Sequence, residues 1–208
     1  MRAPFLSVYT AAIPSHVCVG GVFPFSRQEE IFACSSDKAK REKYCAWKLL
    51  EYAFLHAFGK RLDEIGFEKT ENGKWVCDFC HFSLSHSHDA VAVALSDTPV
   101  GVDIEKLAPI KNRESVAKKI LTASEGEEYQ RLMLRPDSAN EFLLEIWTKK
   151  ESLFKTGAYP KFIPNRIETG EESTQTRKVI VGGAEYLLSV ANEKAMQAKF
   201  VENSPYTL

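Results

Sequence analysis

Between Ser36 and Phe58 the apolar side chains Tyr44, Trp47, Leu50, Phe54 and Ala57 or Phe58 return every three to four positions, which predicts a helix buried along one stripe. Lys38, Lys40, Arg41, Lys43 and Lys48 crowd its first half, so the helix is amphipathic with a basic N-terminal part. From Phe82 to Leu95 the rhythm changes to alternation: Phe82 and Leu84 with serines, then Val91, Val93 and Leu95 with alanines. That pattern predicts two short strands, with Ser85-His86-Ser87-His88-Asp89 as the turn between them. Val100 to Glu105 alternates strictly, placing Val100, Val102 and Ile104 on one strand face and Asp103 and Glu105 on the other. Arg113 to Met133 and Glu141 to Lys155 have helical spacing, and strand character returns at Lys178 to Val181 and Tyr186 to Val190. The polar, acidic stretch Thr169 to Thr176 reads as a loop.

Helices mixed with hairpin-connected strands, with no regular βαβ alternation, predict an α+β fold rather than a doubly wound sheet. Each half of the chain offers a helix and then strands, without a sequence repeat that would prove duplication. With 208 residues, 44% hydrophobic and 26% charged, the chain is long enough to bury one good core or two small ones. Its 27 basic and 28 acidic residues nearly cancel, which argues against nucleic-acid coating and confines charge-driven recognition to local patches. Pro14, Ser15 and His16 interrupt the apolar start, so Met1 to Val19 is a poor secretory signal and too short for a membrane span. Five scattered cysteines do not resemble a disulfide framework, and a cytoplasmic protein is expected.

Four groups of residues carry candidate chemistry. Asp103 and Glu105, two apart on a strand, have Cα atoms about 6.5 to 7 Å apart on one face, within reach of a single hard cation or simply a solvated acidic edge. Glu151 and Lys155 share a helix face at i and i+4, while Lys150 interrupts the apolar stripe of Leu143, Ile146, Trp147 and Phe154. An ammonium there needs an anionic partner or a path to water. Ser85, His86, Ser87 and His88 make either an anion cradle or an ordinary hairpin turn. Cys77, Cys80 and His81, with His86 or His88, either supply four zinc ligands or leave Cys77 and Cys80 as two unpaired thiols.

Taken in order, Gly73-Lys74, Phe82-Ser83-Leu84-Ser85-His86-Ser87, Gly101-Val102-Asp103-Ile104-Glu105, Trp147-Thr148-Lys149-Lys150-Glu151 and Lys155 resemble the Sfp-type 4'-phosphopantetheinyl transferases over about residues 36 to 165. The resemblance implies two similar α+β halves related by a pseudo-twofold axis, here 1–98 and 99–208, with coenzyme A between them and the metal-binding motifs in the second. It implies Mg²⁺ held by Asp103, Glu105 and Glu151 against the pyrophosphate of coenzyme A. Lys155 and His86 would contact phosphates, Ser85 would line the same turn, and Lys74 would reach the nucleotide end. Lys48 and Arg41, on the basic helix, are the candidates for the 3'-phosphate. The implied reaction is attack of a carrier-protein serine on the β-phosphorus, with 3',5'-ADP leaving. Glu151, Lys155 and His86 would be the catalytic residues, and Glu151 or a water on the cation would take the serine proton.

Glu125 resembles a further acidic residue assisting the metal shell. The sequence departs from the family where Trp75 follows Lys74 in place of a common Pro, at His88 in the turn, and at Ala158-Tyr159-Pro160 after Lys155. The implied partner is an acidic acyl carrier protein or carrier domain, docking near Lys118 and Lys119, with no nucleic acid or membrane involved and the enzyme a monomer. Two alternatives use the same residues: a metal-dependent phosphoester hydrolase, and a non-enzymatic module built on a zinc site at Cys77 and Cys80.

Overall fold

In the computed structural model, which describes residues 3–71, 73–170 and 174–201, strand β1 (Leu6–Ala12) and helix α1 (Phe25–Phe32) precede the long helix α2 (Asp37–Phe58). The ends of α2 are set locally. Ser36 Oγ accepts from the Ala39 N–H at 3.1 Å, and Gly59 closes the helix with a positive φ of 64°. Next come the small hairpin β2 (Phe67–Lys69) and β3 (Trp75–Cys77), then β4 (His81–Ser87), β5 (Ala90–Ser96) and β6 (Val100–Lys106). Helices α3 (Arg113–Ile120), α4 (Ala123–Leu132) and α5 (Pro136–Lys155) lead to β7 (Thr174–Val181), β8 (Ala184–Asn192) and β9 (Lys199–Val201).

One sheet has the order β4-β5-β1-β9 and another β6-β8-β7. Alternation along β5 decides how they stack. Val91, Val93 and Leu95 join Trp47, Leu50 and Phe54 of α2 in one core. Ala90, Ala92 and Ala94 face the other way, into a core with Val102, Ile104 and Leu188 of the second sheet. Alanines at these positions keep that layer thin. The outer face of the second sheet meets α5, where Thr148 and Ser189 share a hydrogen bond at 2.8 Å. The chain thus builds four layers, helix, sheet, sheet and helix, and the α+β expectation is borne out. Strand β9 returns to pair in parallel with β1, so the C-terminal part lends one strand to the N-terminal sheet.

Several boundaries differ from expectation. Strand β4 continues through Ser87, so Ser85 and His86 are strand residues, and only His88, at φ 54°, and Asp89 turn the chain. The helix expected over Arg113 to Met133 is two: Leu121 is extended at ψ 140°, and Thr122 caps α4 in a reciprocal box with Glu125. Helix α5 begins at Pro136 rather than Glu141, using the preformed φ of proline for its first turn. β1 and α1 were not expected: most of β1 is buried and it shows no alternation. Of the loop expected over Thr169 to Thr176, 171–173 lie outside the described residues, and Thr174 already belongs to β7. Among the described residues no helix is long and apolar enough to cross a membrane.

Candidate functional site

The site begins at the seam between the two sheets. Strand β6 is an edge strand, and its outward N–H groups are met by hydroxyls rather than by a backbone ladder. Val102 N donates to Ser83 Oγ (3.0 Å), Ile104 N to Ser85 Oγ (3.3 Å) and Lys106 N to Ser87 Oγ (3.4 Å). The constant offset means that β4 and β6 run side by side in the same direction. Two of these hydroxyls do a second job: Ser85 Oγ donates to Asp103 Oδ1 at 2.8 Å and Ser87 Oγ to Glu105 Oε2 at 2.7 Å. The serines that alternate along β4 therefore fix the rotamers of both carboxylates on β6.

Helix α5 brings the other half of the cluster. A Cβ on Gly101 would fall 1.8 Å from the carbonyl oxygen of Ser152, so only glycine lets the helix backbone come this close to β6. That contact lays Glu151 and Lys155 over Asp103. Lys155 Nζ donates to Asp103 Oδ1 (2.7 Å) and to Ser85 Oγ (3.2 Å), and lies 4.0 Å from Glu151 Oε2. Asp103 is 4% exposed, and its second oxygen, Oδ2, is buried without a hydrogen-bond partner among the described residues. Burial pushes the Glu105 carboxyl above its ordinary pKa; the Ser87 hydrogen bond offsets this in part and the Asp103 charge adds to it. Glu151 is raised as well, by burial first, with Lys155 opposing and the Asp103 and Glu105 charges reinforcing. Three carboxylates thus share one ammonium, and like-charge repulsion remains. Lys155 Nζ stands among them, and among the described residues no group of three or more His, Cys, Asp or Glu side chains is arranged, as it stands, to hold a metal ion.

Beside the cluster lies a cleft of 580 Å³ lined by Arg27, Lys74, Trp75, Ser83, Phe154 and Lys155, among others. Lys74 Nζ reaches across it to the carbonyl oxygen of Lys155 at 2.6 Å, tying the β2–β3 hairpin to the end of α5. His86 stands at the other side of β4, its Nδ1 3.8 Å from Glu42 Oε2 of α2. The structure therefore brings together Asp103, Glu105, Glu151, Lys155, Ser85 and Lys74. It does not bring Lys48 to them: that side chain pairs with Glu51 on its own helix. Arg41 likewise donates to the Ser15 carbonyl oxygen at 2.9 Å and lies 3.8 Å from Asp89. Arg27 escaped sequence reading because its helix lacks a long apolar period; only its place in α1 reveals it.

Glu125 corrects an expectation. Its oxygens accept from Thr122 N (2.8 Å), Thr169 Oγ1 (2.9 Å) and Lys150 Nζ, and none of its hydrogen bonds goes to the carboxylates of β6. Lys150 is fully buried and also donates to the Ile120 carbonyl oxygen at 2.7 Å. The partner that the apolar stripe demanded is thus Glu125, and the pair is structural. Cys77 Sγ donates to the Cys80 carbonyl oxygen at 3.1 Å; among the described residues neither thiol is gathered with histidines into a zinc site. Lys118 and Lys119 are exposed at the end of α3, where Lys118 borders a 460 Å³ groove against α4.

A glycine-seated helix thus lays a Glu and a Lys over two strand carboxylates, beside a cleft that also presents Arg27 and Lys74. Residues 99–195 match the 4'-phosphopantetheinyl transferase superfamily, so the resemblance read from the ordered motifs is borne out. The chain is 34% identical over 111 residues to the 4'-phosphopantetheinyl transferase psf-1 of Bacillus pumilus, a match covering 51% of this chain and 46% of that protein. It is 34% identical over 116 residues to the 4'-phosphopantetheinyl transferase gsp of Aneurinibacillus migulanus, covering 55% and 47%. With the 4'-phosphopantetheinyl transferase AcpT of Escherichia coli strain K12 it shares 40% identity over 75 residues, 36% of this chain and 37% of that one. The chain spans about half the length, or less, of the curated relatives it matches.

Proposed function

We propose that this chain transfers the 4'-phosphopantetheine arm of coenzyme A to a serine of an acyl or peptidyl carrier protein, acting as a monomer with Mg²⁺ and releasing 3',5'-ADP. The observation that carries this reading is the unbalanced carboxylate cluster, with the orphaned Oδ2 of Asp103, at the mouth of a cleft that also presents Lys74 and Lys155. Hard oxygen donors in excess of their local cations fit Mg²⁺, which completes its shell with water and substrate phosphates. Asp103, Glu105 and Glu151 are the residues that would hold it, and when bound there it would neutralise charge on the pyrophosphate. We assign the segment 1–98 to one half of the enzyme and 99–208 to the other, with coenzyme A at the seam.

In this reading Lys155 releases Asp103 and turns its ammonium to the phosphate oxygens, a short movement within its present reach. Ser85 keeps Asp103 oriented throughout and lines the phosphate path. Lys74 supplies positive charge and His86, whose imidazole burial holds toward its neutral form, supplies a hydrogen bond from the opposite side of β4, and Lys48 and Arg41 belong to the basic helix assigned to the 3'-phosphate. Glu151, whose carboxyl is raised by burial, accepts the proton of the attacking carrier serine while the β-phosphorus bond to the 3',5'-ADP oxygen breaks. The exposed Lys118 and Lys119 form the docking edge for an acidic carrier.

The test is intact-mass spectrometry of an apo carrier protein incubated with the chain, coenzyme A and Mg²⁺, against an EDTA control. A gain of about 340 Da on the carrier, seen only with free Mg²⁺, is the expected result. If several apo carriers gain nothing while coenzyme A is cleaved without them, the phosphoester hydrolase takes its place.

A further inference from the structure

Trp75 is held in the wall of the cleft more firmly than a half-buried tryptophan on a short hairpin needs to be. Its indole Nε1 donates to Glu30 Oε2 of α1 at 2.9 Å, and the same oxygen accepts from Arg27 Nη1 at 3.0 Å. The other oxygen of Glu30 takes the ammonium of Lys69 on β2. Behind Trp75 stands Trp47, edge to face with ring centroids 5.6 Å apart, its own Nε1 donating to the Phe23 carbonyl oxygen at 2.6 Å. Arg27 lies over the Trp47 ring at 4.9 Å and is itself only 8% exposed. Three donors on one carboxylate and a second indole as backing leave Trp75 one orientation, in a cleft whose other wall is Phe154 and Lys155.

A fixed aromatic surface opposite cations suits a ligand that is planar at one end and anionic at the other. We propose that Trp75 is the stacking platform for the adenine base of coenzyme A, and that Glu30 is a positioning residue that holds the indole through its ring nitrogen. This rests on the coenzyme reading above. It assigns the nucleotide end of the cleft to a side chain that this sequence carries where the family commonly has Pro, and to a carboxylate on a helix outside the matched segment. The indole gives affinity without a base-specific hydrogen bond, so other purine nucleotides bearing the same phosphates bind here too.

The test is binding of 3',5'-ADP and, separately, of 4'-phosphopantetheine, by calorimetry in EDTA, with intrinsic tryptophan fluorescence as the second readout. Trp75→Ala weakens 3',5'-ADP by about tenfold, since base–aromatic stacking contributes about 1–3 kcal/mol, and leaves 4'-phosphopantetheine unchanged. Trp75→Phe restores most of the affinity but abolishes the quenching of fluorescence by 3',5'-ADP. Glu30→Ala weakens 3',5'-ADP binding about threefold when Trp75 is present and has no further effect in the Trp75→Ala background. Equal affinity of wild type and Trp75→Ala for 3',5'-ADP overturns the platform; equal effects of Glu30→Ala in both backgrounds overturn the positioning role. If the wild-type chain binds neither probe, the coenzyme reading itself fails, and this inference with it.

Discussion

Lys150 and Glu151 are neighbours on one helix, yet their surroundings are opposites. Lys150 turns inward to Glu125, the Ile120 carbonyl oxygen and a wall of apolar side chains, and its charge is matched by that of Glu125. Glu151 turns toward Asp103 and Glu105, where three carboxylates share the ammonium of Lys155 and one buried oxygen has no partner among the described residues. The first is a closed account of charge, which a protein can use to fix the joint between α3, α4 and α5. The second is an open one, stable only because water, or a ligand, can supply what is missing. A balanced buried pair marks architecture, and an unbalanced one marks a site.

That contrast predicts different failures. The largest effect is expected of Lys150→Met, which strands Glu125 and costs about 3–5 kcal/mol in urea unfolding; adding Glu125→Gln should return most of it. Asp103→Asn should do the reverse: phosphopantetheine transfer drops by about 10²–10³-fold, while the melting temperature holds or rises because one of three crowded charges is gone. A melting temperature that falls as far as in Lys150→Met would erase the distinction. Next in size, Mg²⁺ at about 100 times its Kd should stabilise the wild-type chain by about 2.7 kcal/mol, and should do the same in Lys150→Met/Glu125→Gln but not in Asp103→Asn.

The smallest effect concerns Glu30. Burial works against its charge, but Lys69, Trp75 and Arg27 outweigh it and hold the carboxyl down at about 2, from an ordinary 4.5. Its contribution is therefore complete above pH 4.5 and is lost as pH falls toward 2. Acid titration of stability should show that loss in the wild type and a shallower slope in Glu30→Gln. Equal slopes would place Glu30 with the weak surface pairs.

What could be read from the sequence was what depends on local period. Helix α2 and the two faces of β6 follow from residues within a few positions of each other, and so does the need of Lys150 for a partner. The partner itself was not legible, since Glu125 lies 25 residues earlier and its position depends on the break at Leu121. The same applies to β4. Ser85 and Ser87 looked like a turn because hydroxyl-rich segments favour turns, and only the presence of β6 as a bare edge makes them strand residues with a bonding role. β1 was obscured because a strand buried on both faces has no alternation to detect.

The serine seam has one more consequence. An edge strand with free N–H groups invites pairing with any extended chain, and β6 and β4 each sit at the end of a sheet. By lying side by side, with hydroxyls in place of a ladder, they hide each other's open side from foreign strands. A piece of this chain starting at residue 99 would expose β6 along its whole length, so protection against edge-to-edge pairing belongs to the joined molecule rather than to either part.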